Sequence, residues 1–294
     1  MSTPENHVEI FVELIRRAST QLPHDVETAL KSGRQAESEG SLAERALGTI
    51  LDNVELARDR SAPICQDTGT PVVWIHHPVG TSTRELEGAF VEAVRRATDR
   101  RYLRPNAVNT QSGMNTGDGT GRGIPFIHFH EWDEDRIEVR MILKGGGSEN
   151  VGTQYKLPDG KLQAGRDLEG VRRAVLDAVF EAQGKGCAPG VLGVCVGGDR
   201  VSAFAASKEQ ILRPLDDVNP DPELAELEAR ILAEANSLGV GPMGFGGQTT
   251  LLGVKIGVLD RLPACYFVTV TYMCWADRKA GVSIDREGEA TWLN

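Results

Sequence analysis

Residues 171–198 read VRRAVLDAVFEAQGKGCAPGVLGVCVGG, and two hydrophobic periods meet inside them. Val171, Ala174, Val175, Ala178 and Val179 recur at helical spacing. After a glycine-rich turn carrying Cys187, Val191 to Val196 make a short apolar run closed by Gly197-Gly198, the pattern of a strand buried on both faces. A helix that turns directly into such a strand predicts a mixed α/β fold, because each element needs the other to cover its apolar side.

The flanking sequence extends the same reading. Upstream, Ile137 to Leu143 alternate like a strand and run into KGGGSEN. Downstream, Asp221 and Pro222 read as N-cap and first helical residue, with Leu224, Leu227, Ile231 and Leu238 on the inner face and Gly239 as the stop. Leu251 to Val258 and Cys265 to Met273 follow as strands, and Val282 to Trp292 as a hairpin turning at Arg286-Glu287-Gly288. Toward the N-terminus, Val72 to Ile75 read as a strand and Leu86, Phe90, Ala93, Val94 and Ala97 as a helix face. Residues 1–60 form a helical portion, with Val8, Phe11, Val12 and Ile15 on one face and a Ser41…Glu44 capping box opening another helix. Residues 104–125, RPNAVNTQSGMNTGDGTGRGIP, have neither period and read as one shaped loop. With no repeat and no linker composition, residues 1–294 are expected to form a single domain, its functional segments meeting at one end of the sheet.

Composition narrows the function. A formal charge of -10 leaves no cationic surplus for nucleic acid or anionic membrane. No apolar run approaches the roughly 18 residues of a membrane span, and no basic leader precedes an apolar segment, so a cytoplasmic location is expected. Five cysteines are too few for a disulfide framework and odd in number. Cys65, Cys187 and Cys274 sit where elements meet turns, whereas Cys195 and Cys265 lie inside apolar strand patterns, where a thiol is a small hydrophobe. There is no C-x-x-C, so spacing alone leaves structural thiols and metal ligation both open. The glycine clusters give neither the phosphate-loop pattern nor G-x-G-x-x-G after a strand, which disfavours nucleotide. His128 and His130 share a strand face, but no third ligand stands near them in sequence.

Seven motifs, taken in order, resemble the series found in class I fumarases: ICQDTGT at 64–70, LRPN at 103–106, MNTGDGT at 114–120, KGGGSEN at 144–150, GCAP at 186–189, GPMGFGG at 241–247 and CWADR at 274–278. The resemblance implies a 4Fe-4S cluster held by Cys65, Cys187 and Cys274. It leaves one iron without a protein ligand, able to act as a Lewis acid on a hydroxy-dicarboxylic acid. On the same footing, Asp67 is the acid–base residue, Gln66 orients substrate oxygens, and Arg104 offers a two-pronged carboxylate clamp. Asn115, Thr116 and Asp118 line the cavity, and Gly146 and Gly147 let backbone N–H groups approach an anion. Asp277 and Arg278 pair behind the ligands, and Trp275 shields the cluster.

Two departures stand out. Cys187-Ala188-Pro189 replaces the family's Cys-Pro-Pro, and the stretch RLPACYF lacks the histidine expected before the last cysteine. Single-chain members continue past the CWADR hairpin into a further domain, whereas this sequence stops at Asn294. The resemblance therefore implies the alpha subunit of a two-subunit hydro-lyase, completed by a separately encoded beta subunit in an α2β2 assembly. (S)-Malate is the expected substrate; L-tartrate dehydratase and a non-enzymatic iron–sulfur sensor are the alternatives.

Overall fold

A computed structural model describes residues 4–293; residues 1–3 of the expected helical portion, and the chain-ending Asn294, lie outside them. The elements group into two compact units. One is built from the described residues up to Pro23, from Asn53–Gly145 and from Arg278 onward; the other from His24–Asp52 and Gly146–Asp277.

The first unit holds helices α1 (Pro4–Thr20) and α4 (Thr83–Asp99), the second half of α3 (Leu42–Arg60), and strands β1 (Thr70–Pro78), β2 (Phe126–Trp132), β3 (Ile137–Lys144), β8 (Lys279–Ile284) and β9 (Ala290–Leu293). The strands form one sheet in the order β2-β1-β3-β8-β9. β1 and β2 run parallel, as a strand–helix–strand crossover through α4 requires, and the other pairs are antiparallel. Alternate residues Val73, Ile75, Val139, Met141, Val282 and Ile284 share one core with α1 and α4, where the Phe11 and Phe90 rings lie 5.0 Å apart. On the opposite face Trp74 stacks on His128 and His76 on His130. The expected hairpin turns as read, with Gly288 at φ +88 closing on the Asp285 carbonyl at 3.1 Å.

The second unit holds α2 (His24–Ala36), the first half of α3, α5 (Gly146–Asn150), α6 (Leu168–Ala182), α7 (Arg200–Gln210) and α8 (Pro222–Ser237). Its sheet runs β4-β7-β5-β6, from β4 (Thr153–Lys156), β7 (Phe267–Met273), β5 (Gly190–Gly197) and β6 (Leu251–Leu259). β5 is central and wholly buried, as its sequence predicted. Leu192, Val194 and Val196 join the core made with α6 and α8, while Gly193 faces α7 so closely that a Cβ there would stand 2.0 Å from the Ser207 carbonyl. Asp221 caps α8 through the Glu223 N–H at 2.9 Å.

The structure corrects three expectations and adds one element that was not expected. The mixed α/β architecture has two sheets, not one. The strand read from Cys265 begins at Phe267, because the Cys265 N–H turns back to the Leu262 carbonyl at 2.9 Å after Pro263; Cys265 is a half-buried turn residue. Leu238 is the exposed C-cap of α8 and does not belong to its inner face. Finally, α7 carried no readable period: its buried residues are only Ala203 and Ser207, and Val201 is 79% exposed. No helix among the described residues is long and apolar enough to cross a membrane.

Candidate active site

In the first unit, the loop after α3 is pinned by backbone and amide contacts. The Ile64 N–H donates to the Ser19 carbonyl at 2.9 Å, and Asn53 Nδ2 to the Ile64 carbonyl at 2.8 Å. Cys65 is then half-buried and Gln66 exposed. Thr68, 1% exposed, joins the next motif to this one, because its hydroxyl accepts from the Arg104 N–H at 2.9 Å and from Asn106 Nδ2 at 3.1 Å. The exposed Arg104 guanidinium reaches the Gln66 carbonyl at 3.4 Å. Gln66, Asp67 and Arg104 thus share one small region, organised by Thr68 and Asn106, which sequence reading had passed over.

Asp67 is held from several sides. Oδ1 accepts from the Gly69 N–H at 3.2 Å, and its carbonyl accepts from the buried Arg278 guanidinium at 2.7 Å. A Cβ on Gly145 would stand 2.8 Å from Asp67 Oδ2, so the first glycine of KGGG makes room for this carboxylate. Gly69, at φ +75, packs its backbone against Leu143 and Lys144, where a Cβ would meet main-chain atoms at 2.9 Å. Only glycine fits both that conformation and that contact.

The polar loop shapes itself. Asn115 Nδ2 donates to the Pro105 carbonyl at 2.6 Å while its Oδ1 accepts from the Gly117 N–H, and Thr116 bonds twice to the Ala107 carbonyl. Both oxygens of Asp118 are engaged, by the Thr120 N–H and hydroxyl and by Arg95 at 3.1 Å. Partial burial opposes ionisation there, but the Thr120 and Arg95 donors prevail and hold the carboxyl down to about 2.

In the second unit, Gly146 and Gly147 open the short α5 and are exposed. Cys187 and Cys274, both half-buried, belong to loops that meet: the Trp275 N–H donates to the Cys187 carbonyl at 3.1 Å. Trp275 is half-buried beside them. A third loop supports the pair, since the Met243 N–H donates to the Ala188 carbonyl at 2.8 Å and Gly184 lies against Gly244 too closely for a side chain. Gln183, Cys187 and Met243 all sit at positive φ, so non-glycine strain gathers where these loops join. Glu37 anchors the third loop by accepting from the N–H groups of Gln248 and Thr249.

Tyr272 on β7 lies beneath the loop of Cys187, 2% exposed, and its hydroxyl has no hydrogen-bond partner among the described residues. Burial raises its phenol, and the nearby Cys274 and Cys187 raise it further. Cys195, inside β5, is pushed up to about 11 by burial alone, which suits an inert core thiol. The donor set therefore fits the expected cluster in kind: the loops that carry two half-buried turn thiols meet, and a buried O–H able to donate to sulfur lies beneath the loop of Cys187. Cys65 belongs to the other unit. Among the described residues no three His, Cys, Asp or Glu side chains surround a single metal-ion position; a cubane is held differently, each thiolate taking its own iron.

The family model described as "Fumarate hydratase (Fumerase)" matches residues 8–283. The chain belongs to this fumarate hydratase family. A Geobacillus stearothermophilus protein provisionally named fumarate hydratase class I is 47% identical over 96% of this chain, which spans 55% of that relative. A Methanocaldococcus jannaschii protein provisionally named L(+)-tartrate dehydratase subunit alpha is 36% identical, with 92% of this chain and 95% of the relative covered. The L(+)-tartrate dehydratase subunit alpha of Escherichia coli K12 is 33% identical over 92% of this chain and 88% of its own length. The family's matched span takes in Cys65, Asp67, Arg104, Cys187 and Cys274 together.

Proposed function

We propose that the chain is the alpha subunit of an iron–sulfur hydro-lyase that removes water from a small hydroxy-dicarboxylate, with (S)-malate and fumarate as the favoured pair. Cys65, Cys187 and Cys274 would hold a 4Fe-4S cluster, and residues 1–294 would act as one functional domain. When bound, such a cluster supplies a Lewis acid for the departing hydroxide through the iron that lacks a protein ligand. Asp67 takes the proton from the neighbouring carbon. Its carboxylate is fixed by the Gly69 N–H over the space left by Gly145, so it need not reorganise before accepting. Arg104 pairs with a substrate carboxylate, Gln66 orients its oxygens, and Gly146 and Gly147 offer backbone unscreened by side chains. Asn115, Thr116 and Asp118 contribute by holding the polar loop in shape.

The observation that carries this reading is the family match across residues 8–283, joined to the meeting of the Cys187 and Cys274 loops. The higher identity lies with the relative named fumarate hydratase, but the two named tartrate dehydratase alpha subunits match this chain along most of their length. L-Tartrate is therefore the second reading, and a beta subunit is proposed with either substrate. The test is anaerobic reconstitution with that subunit, followed by malate, tartrate and mesaconate at equal iron content. Malate turnover well above the others supports the first reading and tartrate turnover the second. A chain that loads iron and dehydrates none of them is a sensor or scaffold instead.

A further inference from the structure

Tyr272 is a buried polar group that the proposed chemistry leaves unused. Cys187 crosses over its ring between two glycines: a Cβ on Gly186 would stand 2.5 Å from the ring carbon Cε1, and one on Gly190 would stand 2.3 Å from Cζ and 2.5 Å from the hydroxyl. Any side chain at either position would drive the thiol loop off the ring. The sequence therefore holds GKGCAPG down on a tyrosine where phenylalanine would fill the same space without leaving an oxygen unpartnered. A buried hydroxyl without a partner is unfavourable, and such groups in native proteins call for an explanation. Cys187 directly follows the glycine packed on this ring and Cys274 lies two residues beyond Tyr272, and a thiolate or sulfide is an anionic acceptor well matched to an O–H.

We infer that the Tyr272 hydroxyl donates a hydrogen bond to the sulfur of the bound cluster or of its Cys187 and Cys274 ligands, and so sets the cluster's electron density. The inference rests on the cluster reading above. Tyr272 is then a positioning residue that touches neither substrate nor iron. Hydrogen bonds to sulfur withdraw charge and raise the reduction potential of such clusters. In the metal-free chain the same hydroxyl finds no acceptor among the described residues and opposes folding.

The test is Tyr272→Phe in the full chain, loaded anaerobically with iron and sulfide in the presence of the beta subunit. Tyr155→Phe serves as control, because the Tyr155 hydroxyl already donates to Asp177 at 2.8 Å. Iron per chain should stay at the wild-type level in both variants. For Tyr272→Phe the potential should move to a more negative value and the Fe–S stretching bands to higher frequency, whereas Tyr155→Phe should leave both unchanged. Without metal, Tyr272→Phe should melt at or above the wild-type temperature and Tyr155→Phe below it. An unshifted potential and unshifted bands in loaded Tyr272→Phe overturn the inference alone. So does a clear loss of metal-free stability, since the hydroxyl would then have a protein partner. Wild-type protein that takes up no iron overturns the cluster reading, and the inference with it.

Discussion

Asp67 and Asp118 are carboxylates in neighbouring motifs with opposite employment. Asp67 keeps one oxygen free of any N–H or guanidinium bond described above, while Asp118 spends both on Thr120 and Arg95. Asp67→Asn preserves size but cannot accept a proton at neutral pH. Turnover should fall by roughly two to four orders of magnitude, the span of a general acid–base group, with cluster absorbance retained. A near-normal rate at full iron content would return Asp67 to a turn residue. For Asp118 the expected effect is on stability. Its folded value of about 2 lies below that of an unfolded aspartate, so its contribution is complete above about pH 4 and is lost as pH falls toward 2. Asp118→Asn should lower the melting temperature at pH 7, and the gap to wild type should close below pH 4. A gap that stays constant would show that the ionised form is not what matters. The sequence displayed DTG and GDG alike as turn formers. What separates them is Gly145 in one case and Arg95 in the other, contacts from distant segments that no local pattern reports. Cys195 was legible because the apolar run around it in β5 is unbroken; Cys265 was misread because Pro263 bends the chain just before an apolar run.

Glycine shows how differently two elements use one residue type. On β5, Gly193 lets the backbone of α7 approach the strand, and Gly193→Ala would set a methyl 2.0 Å from the Ser207 carbonyl. The helix must move away, which breaks the Ser207–Thr271 hydroxyl pair at 2.7 Å, and a loss of about 1–3 kcal/mol or more is expected in urea denaturation. Gly88 on α4 is exposed with open space around it, so Gly88→Ala should stabilise by about 0.4–1 kcal/mol. Equal signs for the two would refute the packing described for α7. The same contact explains why α7 escaped the sequence. It binds through small residues and backbone, with Ala203 and Ser207 buried and the Ser207 carbonyl against Gly193, and so carries no apolar stripe. α6 and α8, which bury leucine and valine ledges, were plain to read.

At the scale of the whole molecule, charge limits what this chain does alone. A protein of formal charge -10 with the exposed Arg104 as its proposed clamp is poorly equipped to hold a dianion, and an open iron needs surroundings that exclude water and oxygen. The chain alone should load iron weakly and dehydrate malate slowly, and the proposed beta subunit should restore both, with iron per chain measured anaerobically first and turnover then compared at equal iron. Full activity without the partner would refute the two-subunit reading. The division into two units was invisible in sequence because the chain passes between them at 23/24, 52/53, 145/146 and 277/278, inside or beside regular elements and without linker composition. That threading also fixes an order of events on the ribosome. Once residue 277 has emerged, every segment of the second unit is available, yet β3 of the first still lacks its neighbour β8. Until β8 leaves the exit tunnel, a nascent chain carries an open, apolar strand edge on β3, the kind of surface that recruits other unfinished chains. Translational pausing between residues 278 and 293, or a truncation that removes β8 and β9, should therefore be far more damaging to solubility than the small number of residues involved would suggest.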